Sequence, residues 1–218
     1  MIQSGKFDSF KMDIKKLANS VLDFTIKRLI EITGIIILIL GILLFIGLIS
    51  YSPTDPNFIF PENTEINNLL GFKGSYVSDL FFQSIGLIAY LIPITFFLTG
   101  INIFRNKEIF LVLENIFFIV LYSIIGSLFF SFYYTNSFSL FVNGNGGFIG
   151  NFLYEITFKK FLITYKNIFY YIFITLILVL FLVSINFKIT NFFLLIKKFF
   201  QFLTQKNEKN YTNENEVI

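Results

Sequence analysis

Four uninterrupted apolar runs divide the chain, and polar stretches of very unequal length separate them. The first run, residues 32–50, reads ITGIIILILGILLFIGLIS and carries no charge. As a helix rising about 1.5 Å per residue it is long enough to cross a hydrocarbon core of about 30 Å. Pro53 and Pro56 follow at once. They lack a backbone donor and restrict the residues before them, which predicts that the first helix stops where the chain regains water. The second run covers 80–104, the third 109–134 and the fourth 167–187. Only the polar turn Arg105-Asn106-Lys107-Glu108 parts the second from the third, which predicts an antiparallel hairpin. Pro93 lies inside the second run and is expected to kink it by crowding the carbonyl four residues back. Gly86 and Gly100 in the same run read equally as points of close helix approach and as glycine's ordinary frequency in spans.

The polar stretches carry patterns of their own. In residues 1–31, Phe7, Phe10, Ile14, Leu17, Val21 and Phe24 recur every three or four positions among six Lys and Arg and four Asp and Glu. The pattern fits a basic amphipathic helix on a membrane surface and equally an ordinary solvated leader. The mixed charges and the poor cleavage site at Ile49-Ser50-Tyr51 argue against a removed signal peptide. Residues 51–79 read as a loop of turns, in which Asp55 is expected to bond nearby backbone donors. Residues 148–164 fit an interfacial helix, with Asn151, Glu155 and Lys159 on one face, or the first turns of the next span. Residues 188–203 repeat the amphipathic pattern, and 204–218 is a polar tail expected to be a disordered linker. The expected class is therefore an all-α membrane protein. It has four transmembrane helices and interfacial amphipathic helices at their cytoplasmic ends. Its organisation is a leader over 1–31, a four-span domain over 32–187 and a juxtamembrane helix and linker over 188–218.

Composition strengthens this reading and narrows the chemistry. The 218 residues are 55% hydrophobic and 14% charged, with a mean hydropathy of +0.73, which suits a membrane chain and not a soluble one. There is no Cys and no His. That removes thiolate nucleophiles, thiolate metal sites and the usual neutral-pH base, so no catalytic residue, metal site or cofactor is expected. The 33 Phe and 11 Tyr read as lipid-facing filling in a chain rich in Ile, Asn and Lys. Segments 1–31, 105–108 and 188–218 together hold 13 Lys and Arg, against 4 in 51–79 and 135–166. This asymmetry is expected to hold both termini in the cytoplasm.

Two features invite a functional reading. Glu114 is the single acid within the four runs, which by default suggests an ion path. It stands near the end of its run, within reach of Arg105 or Lys107, so a structural role is favoured. Asn143-Gly144-Asn145-Gly146-Gly147 suggests a phosphate loop, but no Lys follows the glycines as a P-loop requires.

The basic N-terminus, the block Tyr51-Ser52-Pro53-Thr54-Asp55-Pro56, then Gly71-Phe72-Lys73-Gly74 and Ser78-Asp79 make up an ordered set. Gly86, Tyr90, Pro93 and Gly100 continue it, and Gly146-Gly147-Phe148-Ile149-Gly150 follows before the fourth run. Over about residues 28–187 this set resembles the N-terminal four-span membrane domain of the FtsK/SpoIIIE family of DNA translocases. The resemblance implies structural roles for Pro53, Asp55, Pro56, Gly71, Gly74, Asp79, Gly86, Pro93, Gly100, Gly147 and Gly150. It implies a multi-pass anchor in the bacterial inner membrane at the division septum, serving cell division and chromosome partition. Its partners would be the lipid bilayer, further copies of itself and division-site proteins. In that family a linker and a hexameric DNA-stimulated ATPase follow the membrane domain, whereas these residues hold no Walker A motif, so DNA would be met only through a motor absent from this chain. The competing class is a small transporter or channel subunit, for which Pro93 and Glu114 are the candidate features.

Overall fold

The helices cover the four apolar runs and reach beyond them: the leader is part of the first helix, and residues 71–79, expected as the end of a loop, already belong to the second. The computed structural model describes residues 2–56, 65–135 and 143–187, together with 197, 198 and 201; the side chains of 2–14 and 157–161 are outside that description. The expected amphipathic helix over 188–203 and the tail after it fall largely outside the described residues. Residues 1–186 form one compact unit, and the described part of it is helical without a strand.

Helix α1 runs from Ile2 to Ile49. At about 1.5 Å per residue its 48 residues extend to about 72 Å, more than twice a bilayer core. No break separates the leader from the span, because no Gly or Pro lies between Gly5 and Gly34. Thr25 and Thr33 turn their hydroxyls back onto the carbonyls of Val21 and Leu29. The helix ends at Ile49, ahead of Pro53, as the prolines predict.

Helix α2 (Gly71–Ile85) is followed by a tight 3₁₀ segment, Gly86–Tyr90, and then by α3 (Leu91–Asn106). The irregularity therefore lies ahead of Pro93 and not at it. Pro93 occupies the first turn of α3, where its missing N–H leaves no helical bond unmade. The expected kink at Pro93 is thus replaced by a break at Gly86, whose φ of +70° is a conformation that a side chain resists.

Helix α4 (Leu111–Tyr133) runs back along α3. Then α5 (Gly147–Leu153), a wide π turn (Tyr154–Phe158) and α6 (Lys159–Thr164) lead into α7 (Lys166–Ser184). The stretch expected as a helix over 148–164 is helical throughout, with the π turn widening it between α5 and α6. Among the described residues, four helical stretches are long and apolar enough to cross a membrane: Lys15–Ile49, Gly71–Asn106, Leu111–Tyr133 and Lys166–Ser184.

Contacts along the helices show successive antiparallel crossings. The backbone beside Gly34 is that of Gly100 and Phe104, and beside Gly41 that of Pro93 and Phe97. Further up α1, Leu48 O accepts from Tyr90 Oη at 3.4 Å. Asn115 on α4 bonds Thr99 on α3, and Tyr122 meets Thr95. Tyr134, just past α4, meets Tyr170 on α7, while Asn186, just past α7, bonds Asn115 near the start of α4. The start of the α1 span and the end of α7 therefore lie at the same end of the layer. There Lys107 in the α3–α4 turn pairs with Glu31 at 2.9 Å, and Glu31 also pairs with Arg28.

At the opposite end Gly47 faces Gly74 of α2, at the level where Leu48 meets Tyr90. Both ends of α2 thus lie at that end of the layer, so α2 lies across it and the crossing starts at the break. The 3₁₀ segment and α3 together span about 34 Å, enough for a bilayer core. The buried core, Leu48, Phe82, Ile85, Ile88, Ala89, Ile92, Ile119 and Tyr122, gathers around this break.

Candidate functional site

The densest polar construction in the described residues joins the end of α1 to the start of α2. Asp55 is 1% exposed. One of its oxygens accepts from Asn67 N at 2.9 Å and Asn67 Nδ2 at 3.1 Å, and the other from Asn68 N at 2.9 Å. The donors lie 12 and 13 residues on. Asp55 thus closes a long loop and is not the local turn former expected from its position between two prolines. Pro53 and Pro56 flank it in a bent stretch, and Pro56 O accepts from Ser75 Oγ at 2.8 Å, which ties the loop to α2.

Asn68 performs the second join. Its Nδ2 donates to Gly47 O at 2.9 Å and Ser50 O at 3.3 Å, satisfying carbonyls left free at the end of α1. Its Oδ1 accepts from Leu70 N at 3.1 Å, next to the start of α2. A Cβ on Gly74 would overlap that Oδ1, so Gly74 is the residue that leaves room for the amide. Gly71 has a φ of +64° with open space around it and lets the chain turn into α2. Asp79 is 5% exposed and accepts from Tyr51 Oη at 2.9 Å. Burial, and then the Asp79 carboxylate, push the Tyr51 phenol well above the usual tyrosine range, so it stays a donor.

A second construction surrounds the break. Leaving the helix at Gly86 frees backbone groups inside the protein, and these find partners: Ile85 O accepts from Ser127 Oγ at 2.8 Å and Leu87 N donates to Asn145 O at 2.9 Å. The glycine cluster is thereby accounted for. A Cβ on Gly147 would lie 2.6 Å from Gly86 N, and one on Gly150 would overlap Ser127 O. Asn151 holds the arrangement from the other side, accepting from Ser131 Oγ at 2.7 Å and donating to Asn143 O at 2.7 Å. Asn145 Nδ2 donates to Tyr134 O. These glycines pack backbone against backbone, as does Gly100, whose Cβ would lie 2.6 Å from both Gly34 O and Leu38 N. Of the two readings open for Gly86 and Gly100, the structure supports close approach.

A third seam of neutral polar groups links α3, α4 and the end of α7. Thr95 Oγ1 lies 3.1 Å from Tyr122 Oη and 3.3 Å from Ser184 Oγ. Asn115 Nδ2 donates to Thr99 Oγ1 at 2.6 Å and its Oδ1 accepts from Asn186 at 3.1 Å. Such bonds between spans contribute about 0.6 kcal/mol each on average, enough to favour one pairing of helices over a shifted one. Glu114, by contrast, is exposed in the first turn of α4, and the Lys107 expected within its reach pairs with Glu31. Among the described residues no three Asp or Glu converge as a metal site would require.

The eleven motif residues therefore divide among three places, the first being the clasp that joins the end of α1 to the start of α2. Pro53, Asp55, Pro56, Gly71, Gly74 and Asp79 gather at the clasp. Gly86, Gly147 and Gly150 gather at the break, while Pro93 and Gly100 line the α1–α3 contact. The sequence reading passed over Asn68 and Ser127, and it named Asn145 and Asn151 only as part of a turn cluster and of a polar helix face. A buried amide bonding a distant carbonyl leaves no periodic mark in a sequence; the adjacent Asn67-Asn68 just ahead of a helix was the available signal.

Residues 26–197 match the family model described as the 4TM region of DNA translocase FtsK/SpoIIIE. Among curated relatives, the DNA translocase FtsK of Rickettsia bellii is 36% identical over 77 residues, covering 35% of this chain and 10% of the relative. That of Azospirillum brasilense is 31% identical over 88 residues, covering 39% and 14%. The matched stretch is thus a small fraction of those relatives' own length. No solved structure matches significantly. With four candidate spans among the described residues and the family model matching residues 26–197, more than half of the chain, the chain belongs to the family of the 4TM region of DNA translocase FtsK/SpoIIIE.

Proposed function

We propose that this chain is the membrane anchor and septum-targeting module of a DNA translocase that acts in cell division and chromosome segregation. The observation that carries the reading is the family match over residues 26–197, lying on four helices that each suffice to cross a bilayer. A motor that pulls DNA needs a fixed body to resist its force. Several packed spans with backbone-to-backbone contacts hold far more firmly than one acyl chain, which gives only reversible attachment. Both termini lie in the cytoplasm, supported by the excess of Lys and Arg on the segments at that end. The chain itself performs no ATP chemistry: its glycine-rich stretch lacks the phosphate-binding Lys and packs against a helix break. Its partners are the bilayer, other copies of the chain and division-site proteins, with DNA met through a motor.

The test is localisation in dividing bacterial cells. A fluorescent protein that matures only in the cytoplasm, fused after Ile218, is expected to light a band at midcell. Fluorescence spread evenly around the envelope overturns targeting, and a dark fusion with normal protein levels overturns the orientation.

A further inference from the structure

Between α1 and α2 lies a groove of about 460 Å³, within the size range of ligand sites. Its floor is nearly bare backbone, because Gly47 and Gly74 meet there; a Cβ on Gly47 would lie 3.7 Å from Gly74 O. Leu40 and Leu44 form one wall, Val77 and Phe81 the other. From Leu40 to Gly47 α1 rises about 10 Å, so the groove runs from the clasp towards mid-layer. Lys73 stands at its clasp end. It is exposed, is the only basic residue between positions 51 and 104, and has no ion pair among the described residues. The carboxylates of the clasp do not neutralise it. Asp55 and Asp79 are both buried, and their bonds go to Asn67, Asn68 and Tyr51.

An apolar channel with an unpaired cation at its interfacial mouth complements a molecule with a hydrocarbon tail and a negative head. We propose that the groove selects an anionic phospholipid, with one acyl chain lying between α1 and α2 and the phosphate held by Lys73. The inference rests on the chain spanning a bilayer and not on where in the cell it collects. Any apolar groove in a bilayer fills with acyl chain; Lys73 adds the choice of headgroup. One basic residue beside an anionic surface corresponds to about a five-fold preference.

The full chain is purified from vesicles of equal phosphatidylglycerol and phosphatidylcholine, and the lipid it retains is read by native mass spectrometry. Phosphatidylglycerol is expected to exceed phosphatidylcholine about five-fold, and Lys73→Gln to bring the two to parity. Val77→Trp, which fills the groove, is expected to lower retention of both. Leu80→Trp, on the same helix but not lining the groove, is expected to change neither. Equal retention of the two lipids by the wild type, or a preference that survives Lys73→Gln, overturns the proposal. Because the chain has no cysteine, Val77→Cys gives a single thiol. Its complete oxidation to a disulfide dimer in vesicles would place a second copy in the groove and overturn lipid as the occupant. This readout is independent of localisation, so a chain that fails at midcell can still pass it.

Discussion

Replacing Asp55 by Asn keeps shape and size and removes one of the two acceptor oxygens that close the loop between α1 and α2. The carboxylate takes three hydrogen bonds through both oxygens. An Asn side chain can keep one oxygen on Asn68 N, which is buried, but must then point its NH₂ at the donors of Asn67. Asn67 is exposed and can turn to water, so the loss is that of two charge-assisted bonds with little left stranded. The expected cost is about 1.5–3 kcal/mol. Asp55→Ala also strands the buried Asn68 N–H and is expected to cost about 3–5 kcal/mol. Insertion should be unaffected, since no apolar run changes. The assay is reversible unfolding in mixed dodecylmaltoside and dodecyl sulfate micelles, followed by far-UV circular dichroism, with the exposed Glu65→Gln as control. If Asp55→Asn unfolds together with the wild type and the control, the carboxylate is not closing the loop and the clasp is wrongly drawn.

Three further outcomes follow from the packing and the clasp. Gly100→Ala is expected to destabilise by about 1–3 kcal/mol in the same micelles, because its Cβ meets the backbone of Gly34 and Leu38 at 2.6 Å. Gly47→Ala, where the nearest atoms lie 3.6 Å away or more, should be near neutral; similar effects for the two would refute close α1–α3 approach. Tyr51→Phe removes the donor to Asp79 and is expected to cost about 1.5–3 kcal/mol at neutral pH. Since the folded phenol titrates above the unfolded value of about 10, that difference should hold below pH of about 10 and shrink only as pH rises further; a difference that shrinks between pH of about 6 and 9 would contradict the assignment. Finally, the purified chain should turn over no ATP with or without duplex DNA, read against a mock purification; DNA-stimulated turnover above that background would overturn the anchor reading.

What the sequence determined by itself is the part governed by single-residue physics. Nineteen uncharged residues before Pro53 are a span by length and transfer free energy alone. The brief turn at 105–108 forces two helices to be antiparallel whatever they pack on. The ordered glycines, prolines and acids were legible as a family pattern, though not as a set of contacts. Tertiary structure decided everything that depends on a partner far along the chain. Pro93 alone predicts a kink, yet the bend sits at Gly86, because Ser127 and Asn145 supply partners for the backbone groups a break sets free. Asp55 alone suggests a turn, yet its donors come from 12 and 13 residues away. The leader and the first span read as two segments but form one helix, since nothing between Gly5 and Gly34 stops it. Hydropathy records which residues leave water; it does not record which of them touch once they have left, and in this chain glycine backbones and buried amides decide that.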